Sequence, residues 1–324
     1  MYGIARRARA PRSPSPHLRR PPLSETDAMP RKNRSPRADR AQDLAIRALL
    51  GAVMALPYER RVPLMGWIAS RVIAPLAGWR KRIRANLAHA RPDLDPREVA
   101  RLVRAVPDNV GRTLIEIYSA PELKARVADT PLAGPGLEAL RAARAAGRPV
   151  VMVCAHLGNF DALRAMMFHN GYALAGLYRE MNNPAFNAHY VAALKSIGEP
   201  LFATDKRGVT GFVRHLADGG IVGILTDLYN AKGADVSFFG QPAPTSVAAC
   251  AWAVRYDALL LPCYCLRAPD GLSFRNRIDA PVAHGDPVAM TQEVNDRLEA
   301  VVRENMEQWF WIHRRWKPER RRDG

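Results

Sequence analysis

Apolar and polar positions fall into stretches with different rhythms along this chain. Residues 1–40 show no apolar periodicity and are dominated by Arg, Pro and Ser, which reads as a disordered basic arm. No apolar core of signal-peptide type follows the first basic cluster, so export is not indicated, and Met29 is a second candidate start. From 41 to 130 the rhythm is helical. The stretch 44–56 is apolar apart from Arg47, and 62–79 is apolar apart from breaks at Arg71 and Pro75. Neither run supplies the roughly twenty clean apolar residues of a spanning helix. Short apolar helices that carry Trp67 and Trp79 and are edged by Arg instead fit an element lying in a membrane interface, the alternative being ordinary buried helices. A basic helix follows over 80–92, and two further helices are expected at 96–106 and 110–118.

From 131 to 318 short β-branched runs alternate with helical ones. Strands are expected at 150–155, 172–177, 200–203, 221–226, 259–266 and 273–278. Helices are expected between them at 137–146, 159–169, 184–197, 209–217 and 246–256, and a long one over 287–313. The alternation predicts an α/β fold, with a mixed, mostly parallel sheet flanked by helices and preceded by the N-terminal helical membrane-associated region. Residues 319–324 are a basic tail.

With 324 residues, 48% of them hydrophobic, the chain can bury a substantial core. The formal charge of +17, about half of it in the first 40 residues, calls for an acidic partner: an anionic membrane, an acidic protein or nucleic acid. The four cysteines, Cys154, Cys250, Cys263 and Cys265, sit in apolar settings without zinc-ligand spacing. They read as buried apolar side chains, and neither a disulfide framework nor a metal site is expected.

The candidate chemistry begins where the strand at 150–155 gives way to a helix. His156 and Asp161 flank that turn, where α/β sheets present their reactive groups. An Asp that accepts from one imidazole nitrogen fixes the tautomer and leaves the other nitrogen free to take a proton. His156 is then a general base oriented by Asp161, with the nucleophile supplied by substrate; a His near an Asp is also a common structural pair. Two more expected strands end in polar residues, Tyr178-Arg179-Glu180 and Thr226-Asp227. Arg179 can bind a phosphate, or pair structurally with Asp227 or Glu180. No Gly-x-Ser-x-Gly elbow is present, which argues against an acyl-enzyme on serine.

The string His156-Leu157-Gly158-Asn159-Phe160-Asp161 resembles the H-x-x-x-x-D signature of the lysophospholipid acyltransferase superfamily. More narrowly, it is similar to that of the bacterial lipid A biosynthesis lauroyl/myristoyl acyltransferases. The stretches 178–184, 238–245 and 307–317 match that family in order, so the resemblance covers roughly 41–318. It implies transfer of a fatty acyl group from acyl carrier protein, or acyl-CoA, to a hydroxyl of a lipid A precursor, with no cofactor, at the cytoplasmic face of the bacterial inner membrane, either peripheral or single-pass. His156 and Asp161 are then catalytic, and Gly158, Asn159, Phe160, Tyr178, Arg179, Glu180 and Asp227 line the substrate site, with amides at Gly158 and Asn159 or Arg179 facing the oxyanion. Phe238 and Phe239 border an acyl channel or belong to the core. Glu180 and Leu228 stand where the family usually has Pro and Gln, which leaves the acceptor and the acyl chain open, with another glycolipid, a lysophospholipid or an aminolipid as the alternatives. Trp309, Phe310, Trp311 and Trp316, among basic residues, fit a headgroup layer, buried packing, or stacking against single-stranded nucleic acid. A non-catalytic membrane or nucleic-acid binder explains the charge and the aromatics but not three polar strand ends, so no nucleic acid is expected.

Overall fold

The computed structural model describes residues 36–317. Helix α1 (Pro36–Met54) already contains the last five residues assigned to the basic arm, so that segment is shorter than expected; the rest of the arm and the basic tail lie outside the described residues. Helix α2 (Tyr58–Ile68) runs through a π-turn (Ala69–Ile73) into the single turn α3 (Ala74–Leu76). Gly78, at φ +68, then reverses the chain into α4 (Trp79–Ala90). No helix among the described residues is long and apolar enough to cross a membrane, and the single-pass alternative finds no support in them.

The two helices expected at 96–106 and 110–118 are one helix, α5 (Pro96–Tyr118). Asp95 caps it by accepting from the Arg97 amide, and Pro96 sits at its first turn, where a missing N–H costs nothing. Pro107 does not break it, although an interior proline costs about 3 kcal/mol. Leu102, Val103, Val106 and Ile115 on the same helix are fully or almost fully buried. At roughly 1.5–3 kcal/mol per apolar side chain, that packing outweighs the proline.

Helices α6 (Ala120–Val127) and α7 (Leu137–Ala145) lead into the sheet, whose strands are β1 (Val150–Cys154), β2 (Leu174–Tyr178), β3 (Leu201–Ala203), β4 (Ile221–Leu225), β7 (Leu259–Arg267) and β8 (Phe274–Ile278); β5 (Ser237–Phe238) and β6 (Gln241–Pro242) form a separate small hairpin. The order is β3-β2-β4-β1-β7-β8, all parallel except the antiparallel β7–β8 pair. Every β1 residue is buried, as a central parallel strand covered on both faces requires. Val150, Met152 and Cys154 face one core, with α6, α8 (Phe160–His169) and α9 (Pro184–Ile197). Val151 and Val153 face the other, with α10 (Lys206–Ala217), α11 (Ala248–Arg255) and α12 (Pro287–Glu304). The long helix expected over 287–313 stops at Glu304, and a 3-10 turn (Met306–Gln308) follows.

The chain leaves β1 for β2 on one side and returns at β7 on the other, so the end of β1 lies at a switch point of the sheet. A third core roofs that end. Trp309, Trp311 and Trp316 pack there with Phe238, Phe239, Leu87 and Val302, all buried. The tryptophans and the two phenylalanines are therefore core residues rather than a headgroup layer, a nucleic-acid platform or the wall of an acyl channel. The four cysteines are buried as well.

Candidate active site

Beyond β1 the chain passes His156 and turns at Gly158, whose φ of +61 suits glycine. A Cβ there would sit 2.0 Å from the Cys265 carbonyl oxygen, so the turn can lie against β7 only with glycine. Asn159 then caps α8 by accepting from the Ala162 amide, while its own side-chain amide donates to Glu116 at 2.7 Å.

The register of β1 on β4 decides what His156 meets. Cys154 pairs with Leu225, and the Thr226 amide extends the ladder to the Cys154 carbonyl. Two residues further along each strand stand His156 and Asp227. Nδ1 of His156 lies 2.8 Å from one Asp227 oxygen, and the other oxygen accepts from the His156 amide and from the Trp309 indole, both at 2.9 Å. Burial pushes the Asp227 carboxyl upward, but the imidazole and these N–H donors overrule it and hold the pKa at about 2. With Asp227 fixed as acceptor, Nδ1 carries a proton and Nε2 is the basic nitrogen. The imidazole is 24% exposed, and Nε2 has no partner among the described residues. Phe160 and Phe310 flank the ring at 5.6 and 5.7 Å.

Asp161, expected to orient the imidazole, is placed differently. In the first turn of α8, its Oδ1 accepts from Arg164 at 2.6 Å, and Arg164 also donates to the carbonyls of Leu194 and Gly198 at the end of α9. Asp161 is wholly buried, and desolvation raises its pKa despite the nearby Arg164 and His156 charges. Its geometry is that of an anchor joining α8 to α9, with its charge felt by His156 but no hydrogen bond to the ring.

The remaining expected residues divide. Asn159 is fully buried, and its amide donates to the Cys265 carbonyl at 2.9 Å. The Gly158 amide donates to the Gln308 carbonyl at 3.0 Å. Both amides are thus committed to backbone pairing, and neither faces a reacting carbonyl, contrary to the expectation from the turn sequence. Tyr178 is half-buried at the end of β2; Arg179 and Glu180 are exposed after it. Arg179 makes no ion pair with Asp227 or Glu180 among the described residues, so the structural pairing considered for it is not formed.

Sequence reasoning missed a buried network beneath the turn. Arg267, at the end of β7, donates to both oxygens of Glu116 and to Asn109. Asn109 and Thr113 both donate to the Gly158 carbonyl at 3.2 Å. Asn109, Thr113 and Glu116 recur at i, i+4 and i+7 along one face of the amphipathic helix α5, a spacing that was a legible signal. His313 was also passed over. It closes the aromatic run, and its Nε2 accepts from the Tyr229 amide at 3.2 Å.

A family model described as bacterial lipid A biosynthesis acyltransferase matches residues 30–318. Two relatives are phosphatidylinositol mannoside acyltransferases. The one from Mycobacterium tuberculosis (strain ATCC 25618 / H37Rv) is 24% identical over 274 residues, covering 78% of this chain and 86% of the relative. The one from Mycolicibacterium smegmatis (strain ATCC 700084 / mc(2)155) is 23% identical over 289 residues, covering 87% and 94%. The match spans the sheet, the turn and the roof over it, and the chain belongs to the bacterial lipid A biosynthesis acyltransferase family, as an acyltransferase.

Proposed function

We propose that this protein transfers a fatty acyl group from a thioester donor to a sugar hydroxyl of a membrane glycolipid, with His156 as general base and Asp227 as its orienting partner. The observation that carries this is the His156 imidazole at the switch point of the sheet, held on one nitrogen by an ionised carboxylate and open on the other. The acceptor hydroxyl gives its proton to Nε2 as its oxygen attacks the thioester carbonyl. The tetrahedral intermediate collapses, the C–S bond breaks, and the departing thiolate takes the proton back from Nε2. Asp227 stays ionised and stabilises the imidazolium in between. No covalent enzyme intermediate is needed.

A glycolipid acceptor accords with both the family description and the names of the relatives. Acyl carrier protein is the donor we favour. Such carriers are acidic, and a groove of about 920 Å³ on this protein is lined by Arg71, Arg97, Arg104, Arg112 and Arg275. The groove also suits anionic lipid, and its neighbour is an apolar tip: Leu76 is 85% exposed, Trp67 54% and Val72 44%, with Lys81 and Arg84 exposed on the following helix. An apolar tip ringed by cations fits peripheral attachment to an anionic membrane surface, at the cytoplasmic face of the inner membrane.

The test is transfer of labelled acyl groups in detergent, from acyl carrier protein and from coenzyme A, to a lipid A precursor and to phosphatidylinositol mannoside. Wild type should form product with at least one pairing, and His156→Ala should lose about 10²–10⁴-fold of the rate. Equal rates from the two proteins would remove His156 from the mechanism. The pairing that works identifies donor and acceptor.

A further inference from the structure

With the amides of Gly158 and Asn159 consumed by backbone pairing, the charge that develops on the thioester oxygen needs another donor. His313 has the required features. Its Nε2 accepts from the Tyr229 amide, and because an amide nitrogen can only donate, Nε2 must be unprotonated. A neutral ring then carries its proton on Nδ1. Burial, together with the charges of His156, Arg315 and Lys317, lowers the pKa to about 4 against the pull of Asp227, so the ring is neutral at pH 7.

Nδ1 has no protein partner among the described residues, and it is not among the buried side-chain atoms left without one, so it opens to solvent. The ring is also held in place. The His313 carbonyl accepts from Asn86 at 2.7 Å and from the Arg315 amide at 3.0 Å, and the His313 amide donates to the Phe310 carbonyl at 3.1 Å. The same loop carries Trp309, which bonds Asp227, and Phe310, whose amide donates to the His156 carbonyl at 2.9 Å. On its other side the ring is tied to Tyr229, two residues beyond Asp227. The loop and the strand end that build the base thus also hold a second imidazole, in the same Nδ1–H tautomer but tied down by the other nitrogen: His156 leaves its basic Nε2 unpaired and His313 its Nδ1–H.

We propose that the Nδ1–H of His313 is the oxyanion donor of this site, polarising the thioester carbonyl and stabilising the tetrahedral intermediate formed when the hydroxyl attacks. This rests on the acyl-transfer reading above. As the new C–O bond forms, the carbonyl electron pair moves onto oxygen and is met by the Nδ1–H of His313, which keeps its proton throughout. As the C–S bond breaks, the pair returns and the hydrogen bond weakens.

Two substitutions separate this role from a structural one. The Oε1 of Gln overlays the Nε2 of His, so His313→Gln keeps the acceptor for Tyr229 and removes the donor. The Nδ2 of Asn overlays Nδ1, so His313→Asn keeps a donor and loses the tie. With the acyl donor and acceptor on which wild type is active, His313→Gln should lose about 10²–10³-fold in kcat with KM little changed, and His313→Asn should retain more of the rate than His313→Gln. The reverse order, or equal losses in both, would mean that the ring matters only for packing and would overturn the proposal. Nitrogen-15 NMR of histidine-labelled wild type needs no substitution: His313 should be in the Nδ1–H form at pH 7, and an Nε2–H form or a protonated ring would overturn it too. Absence of product from wild type with every pairing of donor and acceptor would instead defeat the acyl-transfer reading itself, while the NMR tautomer would still report on His313, so the two failures are distinguishable.

Discussion

Asp161 and Asp227 are both buried carboxylates close to the same imidazole, and their partners separate their roles. Asp227 spends its oxygens on the ring, the amide and the indole around His156. Asp161 spends one oxygen on Arg164, and its other oxygen, Oδ2, is buried without a partner. Replacing Asp227 by Asn keeps the shape but offers a donor where Nδ1–H needs an acceptor, which favours the wrong tautomer. Asp227→Asn should therefore lose about 10²–10⁴-fold in kcat, with the fold retained. Asp161→Asn should act chiefly on stability, because a buried guanidinium loses its counter-charge. Steady-state rates and thermal melts of the two variants side by side check this. A larger fall in kcat for Asp161→Asn than for Asp227→Asn would refute the assignment.

At the scale of elements, the turn after β1 is shaped by the helix packed under it. Helix α5 brings Asn109, Thr113 and Glu116 to the underside, and Arg267 closes the set from the end of β7. Glu116 is fully buried and Arg267 nearly so. Removing one member of such a pair leaves an unpaired charge in the interior, which costs about 3–5 kcal/mol, whereas replacing both members is often near neutral. Arg267→Met should therefore lower unfolding free energy in urea by about that amount, and adding Glu116→Gln should restore part of the loss. A single variant within about 1 kcal/mol of wild type, the range of an exposed pair, would show that the network carries little.

For the whole molecule, the apolar tip around Leu76 and the His156 site are built from different residues. The arginine groove beside the tip is walled by Asn109 and Gln308, and its lining includes none of His156, Asp227 and His313. Attachment and chemistry should therefore be separable. Leu76→Asp removes a side chain whose insertion is worth about 1.5–3 kcal/mol, so binding to vesicles of anionic phospholipid should fall about tenfold or more. Turnover of detergent-dispersed substrate should hardly change. Vesicle sedimentation with and without salt reads the first and the detergent assay the second. Undiminished sedimentation of Leu76→Asp would place the contact elsewhere.

Much of this protein is determined by local sequence. Alternating β-branched and helical runs specify the α/β class and the approximate position of each strand of the large sheet, because burial on both faces of a parallel sheet demands those residues. His156 is legible for the same reason, as a polar residue at the mouth of an all-apolar strand, and the ordered motifs around it carry the family. Helix limits are less legible. Pro107 reads as a break until the packing of α5 outweighs it, and the run after Glu304 continues the apolar rhythm without remaining helical. The partner of His156 was not legible. Proximity along the chain favoured Asp161, but strand pairing between β1 and β4 is a long-range choice, and its register sets Asp227 beside the ring. The same holds for the Trp309 indole, the Glu116–Arg267 pair and the tautomer of His313, whose partners come from distant segments. Sequence periodicity reports which side chains are buried; only the tertiary structure decides which buried polar groups meet.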